Sequence, residues 1–249
     1  MTDLLNMILI TRILLLLTLS TLLCCNNKSD SEENYVYFGG EIINPNNDYV
    51  ILTSPNDKSD TLYLNENNRF IIKLTDVKPG VYTFIHGENQ RILLEPKDSV
   101  MVRLNTIDFD ESLVFTGEGA RKNNYLISAF LQNEEDNKRL MRLMWDTEPN
   151  EFEQILNDVR NQKLLDLQDF LSKKEYSELF KSIAESNINY DYYYYKELYP
   201  FSYYGYNNLI HYKDLPEGFY DFRSDVNYND ENLVGVIPYY KFLFYHFNN

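Results

Sequence analysis

The chain reads as an α+β protein: an N-terminal antiparallel β-sandwich followed by a helical, tyrosine-rich region. Three observations carry that expectation. Between Tyr35 and Gly117, short apolar runs recur about every ten residues with turn residues between them, the pattern of a sandwich or barrel. After Ala120 the apolar residues take up helical spacing. Of the 22 tyrosines, 15 fall between Tyr190 and Tyr245. At 249 residues, 44% hydrophobic and 24% charged, the chain has ample apolar material for a packed core and lacks the composition of a disordered one.

The first element stands apart from that fold. Residues 13–23 are the most apolar stretch of the chain, with Arg12 before them and Cys24-Cys25 after them. A positive residue, an apolar core of about 7–15 residues and a short exit describe a secretory signal. The run is too short for a membrane span, which needs about 20 apolar residues. Asp3 lies where such a signal should be basic, and a start at Met7 would leave only Met-Ile-Leu-Ile-Thr-Arg ahead of the core. The cysteines followed by Asn-Asn-Lys-Ser-Asp-Ser-Glu-Glu resemble a bacterial lipoprotein signal. That resemblance implies cleavage before a cysteine already carrying diacylglycerol, with a small residue just upstream. Cys25 is the expected attachment residue; Cys24 is the alternative, with the bulky Leu23 at its cut. Residues 1–24 are then the signal peptide and 25–34 an acidic tether containing Asp30, Glu32 and Glu33. Each buried acyl CH₂ adds about 0.8 kcal/mol, so several chains hold a soluble domain at a bilayer. Cys24 and Cys25 are the only cysteines, so the mature chain is expected to have no disulfide and no free thiol.

Strands are expected at 35–43, 48–53, 60–64, 69–75, 81–86, 91–95, 99–104 and 112–116. Asn44-Pro45-Asn46-Asn47, Pro55-Asn56-Asp57, Pro79-Gly80 and Pro96-Lys97-Asp98 are among the separators. Val100, Val102 and Leu104 alternate with Met101, Arg103 and Asn105, so one face should be buried. Residues 81–86 carry bulk on both faces, which fits a strand covered on both sides.

Several segments of this region resemble the N-terminal β-domain of Bacteroidetes thioredoxin-like lipoproteins. They are Phe38-Gly39-Gly40-Glu41-Ile42-Ile43-Asn44-Pro45, Asp60-Thr61-Leu62, Pro79-Gly80-Val81-Tyr82 and Leu94-Glu95-Pro96-Lys97-Asp98-Ser99. Phe115-Thr116-Gly117-Glu118-Gly119-Ala120 and Asn123-Asn124-Tyr125-Leu126 extend the likeness. In that family a lipid-anchored β-domain and helices precede a disulfide-reductase thioredoxin domain. Its C-x-x-C module is absent from this sequence, so thiol exchange transfers to no residue here.

The helical region, expected over 121–249, begins with Tyr125, Leu126, Ala129 and Phe130 on one face. Phe152, Ile155, Leu156 and Val159 mark a second helix, with Pro149 just ahead of it where a missing N–H is tolerated. Leu179, Phe180, Ile183 and Ala184 open a third, which Pro200 should end or kink. The run Tyr192-Tyr193-Tyr194-Tyr195 must point around its helix, so one or two of these rings should be exposed. Such rings suit stacking on sugars, peptides or a partner protein as well as helix packing. The terminal stretch Ile237–Phe247 is almost wholly apolar and needs something to bury against, either the preceding helices or a further domain of a longer chain; with the family likeness, truncation of a longer chain is the expectation.

The net charge of −15 and pI near 4.6 leave no cationic excess to neutralise phosphates, which excludes nucleic acid as a partner. His86, His211 and His246 form no zinc spacing. No G-x-S-x-G elbow, Walker loop or G-x-G-x-x-G occurs. Gly117-Glu118-Gly119 is too short for a dinucleotide loop. Asp225-Val226-Asn227-Tyr228-Asn229 starts like a calcium loop, yet Asp230 stands where the sharp turn needs glycine and Val236 where the bidentate Glu belongs. No catalytic residue, cofactor or metal ligand is therefore assigned. The expectation is a lipid-anchored envelope protein at the outer membrane, on its periplasmic or outer face, that binds or positions a partner. The alternatives are a truncated or accessory part of a thiol–disulfide oxidoreductase of the thioredoxin-like lipoprotein type and a surface glycan- or peptide-binding lipoprotein.

Overall fold

The structure, a computed structural model, describes residues 34–205 and 211–249. The signal segment, Cys24, Cys25 and the tether up to Glu33 lie outside the described residues. Eight strands form close to the eight expected runs: β1 (Tyr35–Ile43), β2 (Tyr49–Thr53), β3 (Ser59–Tyr63), β4 (Arg69–Thr75), β5 (Gly80–His86), β6 (Glu88–Leu94), β7 (Ser99–Asn105) and β8 (Val114–Glu118). They make two sheets of four, ordered β4-β1-β7-β8 and β3-β2-β5-β6. One pairing departs from a wholly antiparallel sandwich: β1 and β7 run parallel, with Phe38 opposite Val100. Between these strands the chain builds the other sheet, which supplies the long crossover a parallel pair requires.

Alternation places the core. Val100, Val102 and Leu104 of β7 point inward together with Val36, Phe38 and Ile42 of β1. From the second sheet Val50, Phe84 and Ile92 meet them. The Phe38 ring lies 5.4 Å from Phe70 in its own sheet and 5.5 Å from Phe84 in the other. Burying such a side chain contributes about 1.5–3 kcal/mol. In β5, Tyr82, Phe84 and His86 face the core. On the opposite face Val81 packs on the helical core, and a Cβ at Gly235 would stand 2.6 Å from its Cγ2, so that close approach requires glycine.

The expected strand at 112–116 begins later, because a short helix, α1 (Phe109–Ser112), occupies its start. Four longer helices follow: α2 (Ala120–Asp146), α3 (Pro149–Ser172), α4 (Glu178–Tyr204) and α5 (Ile237–His246). Pro149 is the first residue of α3, and the Ser177 hydroxyl accepts the Phe180 N–H at 3.1 Å to cap α4. Single-turn 3₁₀ segments at His211–Asp214, Asp221–Asp225 and Glu231–Gly235 lie between α4 and α5. Helix α4 runs past Pro200 to Tyr204. Its last turns are held by tertiary packing, with Tyr199 fully buried and Ser202 nearly so, and this outweighs the lost N–H.

Three consecutive residues dock α2 onto the sandwich. The Lys122 ammonium bridges Glu95 (2.6 Å) and Asp98 (2.7 Å) in the β6–β7 turn. The Asn123 amide pairs with both backbone groups of Leu93, accepting its N–H at 2.7 Å and donating to its carbonyl at 2.9 Å. Asn124 does the same to Phe115, at 2.9 and 2.8 Å. Leu93 lies in β6 and Phe115 in β8, one edge strand of each sheet. Gly119 makes the entry possible: its φ is +87°, and a Cβ there would strike the Asp98 carboxylate.

The terminal helix α5 packs along α4 and buries Phe242 completely. Its other side leaves Ile237, Tyr240, Phe244 and Phe247 exposed. No helix among the described residues is long and apolar enough to cross a membrane.

Candidate functional site

Helix α4 is the axis of the helical region, and its tyrosines are its packing surface. Tyr192, Tyr193 and Tyr195 are buried and Tyr194 is half-buried, so none of the four consecutive rings is exposed as expected. The reason is that α2, α3, α5 and the 3₁₀ turns pack against this stretch of the helix. Tyr193 stacks on Phe222 at 4.8 Å, Tyr199 on Phe152 at 4.5 Å, and Tyr194 leans on Tyr245 at 5.7 Å. The hydroxyls reach polar partners at the edge of the core: Tyr192 donates to Asn157 Oδ1, Tyr195 to Asn137 Oδ1 and Tyr199 to the Thr147 carbonyl. Burial pushes the Tyr192 and Tyr194 phenols up to about 12, aided by Glu153 at the first and by Tyr245 and Asp191 at the second. Tyr195 is pushed higher still by burial, with Asp191 adding to it.

Three charged residues interrupt this segment, and each anchors a cluster. Lys196, 2% exposed, pairs with Glu153 of α3 and lies 3.7 Å over the Phe219 ring. Burial lowers its pKa, and the hydrogen bond to Glu153 opposes that. Glu197, fully buried, accepts Arg223 through both oxygens at 2.8 and 2.6 Å, His246 Nδ1 at 2.8 Å and Asn249 Nδ2 at 2.7 Å. It thereby ties a 3₁₀ turn and the end of α5 to α4. Asp191 is the third. Its carboxylate shares Lys163 of α3 with Asp136 of α2, at 3.4 and 3.1 Å, while Asn133 Oδ1 accepts the same ammonium at 2.7 Å. Burial raises the Asp191 pKa, and Lys163 and Lys241 pull it back.

Asp191 lies on the wall of a cavity of about 350 Å³ enclosed by α2, α3, α4 and the start of α5. Ala184, Ile188 and Tyr195 give it a buried floor. Asn133, Asn137 and Lys163 are half-buried on its walls. Phe130, Gln132, Glu134, Asp166 and Lys241 are exposed at its rim. The volume lies in the range of small-molecule pockets, about 300–1,000 Å³. The chemistry of this lining is hydrogen bonding among apolar surfaces.

No family model, curated protein or solved structure matches the chain. The likeness to thioredoxin-like lipoproteins therefore stands on its turn and packing residues alone.

The remaining residues weighed from sequence are dispersed. His86 is 1% exposed inside the sandwich, with Nδ1 2.8 Å from the Tyr49 carbonyl and Nε2 accepting the Asn46 N–H at 3.1 Å. His211 pairs with Asp214 at 2.7 Å on the surface, and His246 lies between Glu197 and the Tyr228 hydroxyl. Asp225 ends one 3₁₀ turn and Asp230 caps the next by accepting the Asn232 N–H at 2.9 Å. Among the described residues no group of three His, Cys, Asp or Glu side chains is placed to hold a metal ion. Sequence reading missed Asn133, Asn137, Lys163 and Asp191. The available signal was Asp191 itself, one of three charged residues set among the consecutive aromatics of α4, where burying a charge costs free energy.

Proposed function

We propose that the chain is a lipid-anchored cell-envelope protein that binds a partner in the cavity beside Asp191 and works without catalytic residues of its own. The cavity carries the binding half of this reading. It is bounded by four helices, and it keeps a carboxylate on its wall that burial disfavours. Glu197 gives both oxygens to internal donors, whereas Asp191 has only one oxygen on Lys163 and lines the cavity. The anchoring half rests on the apolar segment 13–23 followed by Cys24-Cys25. Elsewhere, Glu197, Lys196 and His86 are held by internal partners, which supports a scaffold role for them.

Native mass spectrometry of the protein extracted from its host's membranes tests both halves. The expected species begins at Cys25 and carries diacylglycerol and a fatty acyl group there, part of it holding a further small mass that activation removes. A chain without lipid overturns the anchor. A lipidated chain that never carries added mass, even after incubation with host extract, overturns the binding reading.

A further inference from the structure

The cavity's unused hydrogen-bonding groups identify a class of ligand. Lys163 occupies Asn133 Oδ1 and Tyr195 occupies Asn137 Oδ1, so each amide has its NH₂ left to give. Asn187 donates its own NH₂ to the Ile183 carbonyl at 2.9 Å, leaving its Oδ1 to accept. Asp191 gives Oδ2 to Lys163 and keeps the other oxygen. These four side chains thus offer two amide donors and two acceptors, beside the hydroxyls of Tyr125 and Ser128 and the amide of Gln132, interleaved with the apolar Leu126, Ala129 and Ile188. A ligand made of groups that each donate and accept, with C–H surface between them, meets that pattern; hydroxyls on a saturated ring are such groups. We propose that the cavity binds a neutral saccharide of one or two rings, which names the partner class of the binding reading above and rests on it.

Competing chemistries fit less well. Anionic ligands meet Glu134, Asp166 and Asp191 against Lys163 and Lys241, within a chain of net charge −15. An extended peptide is recognised along a sheet edge or a long groove, and this cavity is walled by helices whose backbone groups are already paired. The volume of about 350 Å³ suits one or two rings.

The test uses saturation-transfer NMR and calorimetry on the membrane-extracted protein. The probes are maltose, cellobiose, lactose and chitobiose, with glucuronic acid, trialanine and trilysine as the other arms. At least one neutral disaccharide is expected to bind, and Asn133→Ala to weaken it about tenfold, the effect of losing one hydrogen bond. Ser128 lies exposed at the rim, where Ser128→Trp disturbs no core contact, so this variant should abolish binding while the thermal melt stays unchanged. Binding by none of the neutral sugars, or binding indifferent to both substitutions, overturns the proposal. Binding confined to glucuronic acid or the peptides overturns the ligand class while leaving the partner-binding reading intact.

Discussion

Lys122 shows how much a single residue carries where helix and sandwich meet. Its ammonium, 8% exposed, is shared by two carboxylates, and removing one partner of a buried ion pair costs about 3–5 kcal/mol. Lys122→Met should lose that amount at neutral pH. Burial already raises the Asp98 pKa, and Lys122 is the main influence holding it down. Without the lysine, Asp98 moves further up in the folded state than in the unfolded one. A group raised in this way favours the fold below its unfolded pKa, about 3.9, and loses that contribution as pH rises through its folded value. The deficit of Lys122→Met relative to wild type should therefore shrink between neutral pH and about pH 4 in urea melts; a deficit that grows on acidification contradicts the assignment. Asn123→Asp tests the neighbouring clamp. It keeps an acceptor for the Leu93 N–H but has no donor for the Leu93 carbonyl, and each buried group left unpaired costs about 1–3 kcal/mol. The variant should melt well below wild type, and Asn123→Ala, which strands both groups, lower again.

At the scale of elements, α5 has two unequal faces. Phe242 is fully buried against Tyr190, Tyr193 and Phe222, and Phe242→Ala should cost about 3–5 kcal/mol. Phe244, 65% exposed on the same helix, should tolerate serine within about 0.5 kcal/mol. Thermal melts of the two variants check this, and similar losses would mean that α5 is seated differently. The same contrast marks what is legible in sequence. Strands and helices came through because alternation, turn residues and Pro149 are local signals. The parallel β1–β7 pairing and the delayed start of β8 depend on where distant segments return, which no local pattern records. The tyrosine run was misjudged for a related reason. Spacing says which way a side chain points, and only the other helices decide whether anything covers it.

The whole molecule makes its tyrosines a collective property. Burial pushes Tyr125, Tyr190, Tyr192 and Tyr194 to about 12, while an unfolded phenol titrates near 10. The sign is that of groups raised by folding: their contribution is complete below pH 10 and disappears as pH rises toward 12. The expected behaviour is alkaline unfolding in which phenolate absorbance and loss of the circular-dichroism signal rise together. All 22 tyrosines titrating near pH 10 with the fold intact would contradict the packing of α4. The cavity is likewise a whole-chain property. Asn133, Lys163, Asp191 and Lys241 come from four helices, so no motif window contains them. The paired asparagines of α2 also bear on solubility. Outermost strands offer free backbone groups to any passing strand, a route to fibrils and runaway polymers. Asn123 and Asn124 occupy such groups on both sheets at once, each imitating a strand neighbour with a single amide. A chain whose α2 has yet to dock therefore keeps two adhesive borders, and the interval before docking is when the protein is most exposed to self-association.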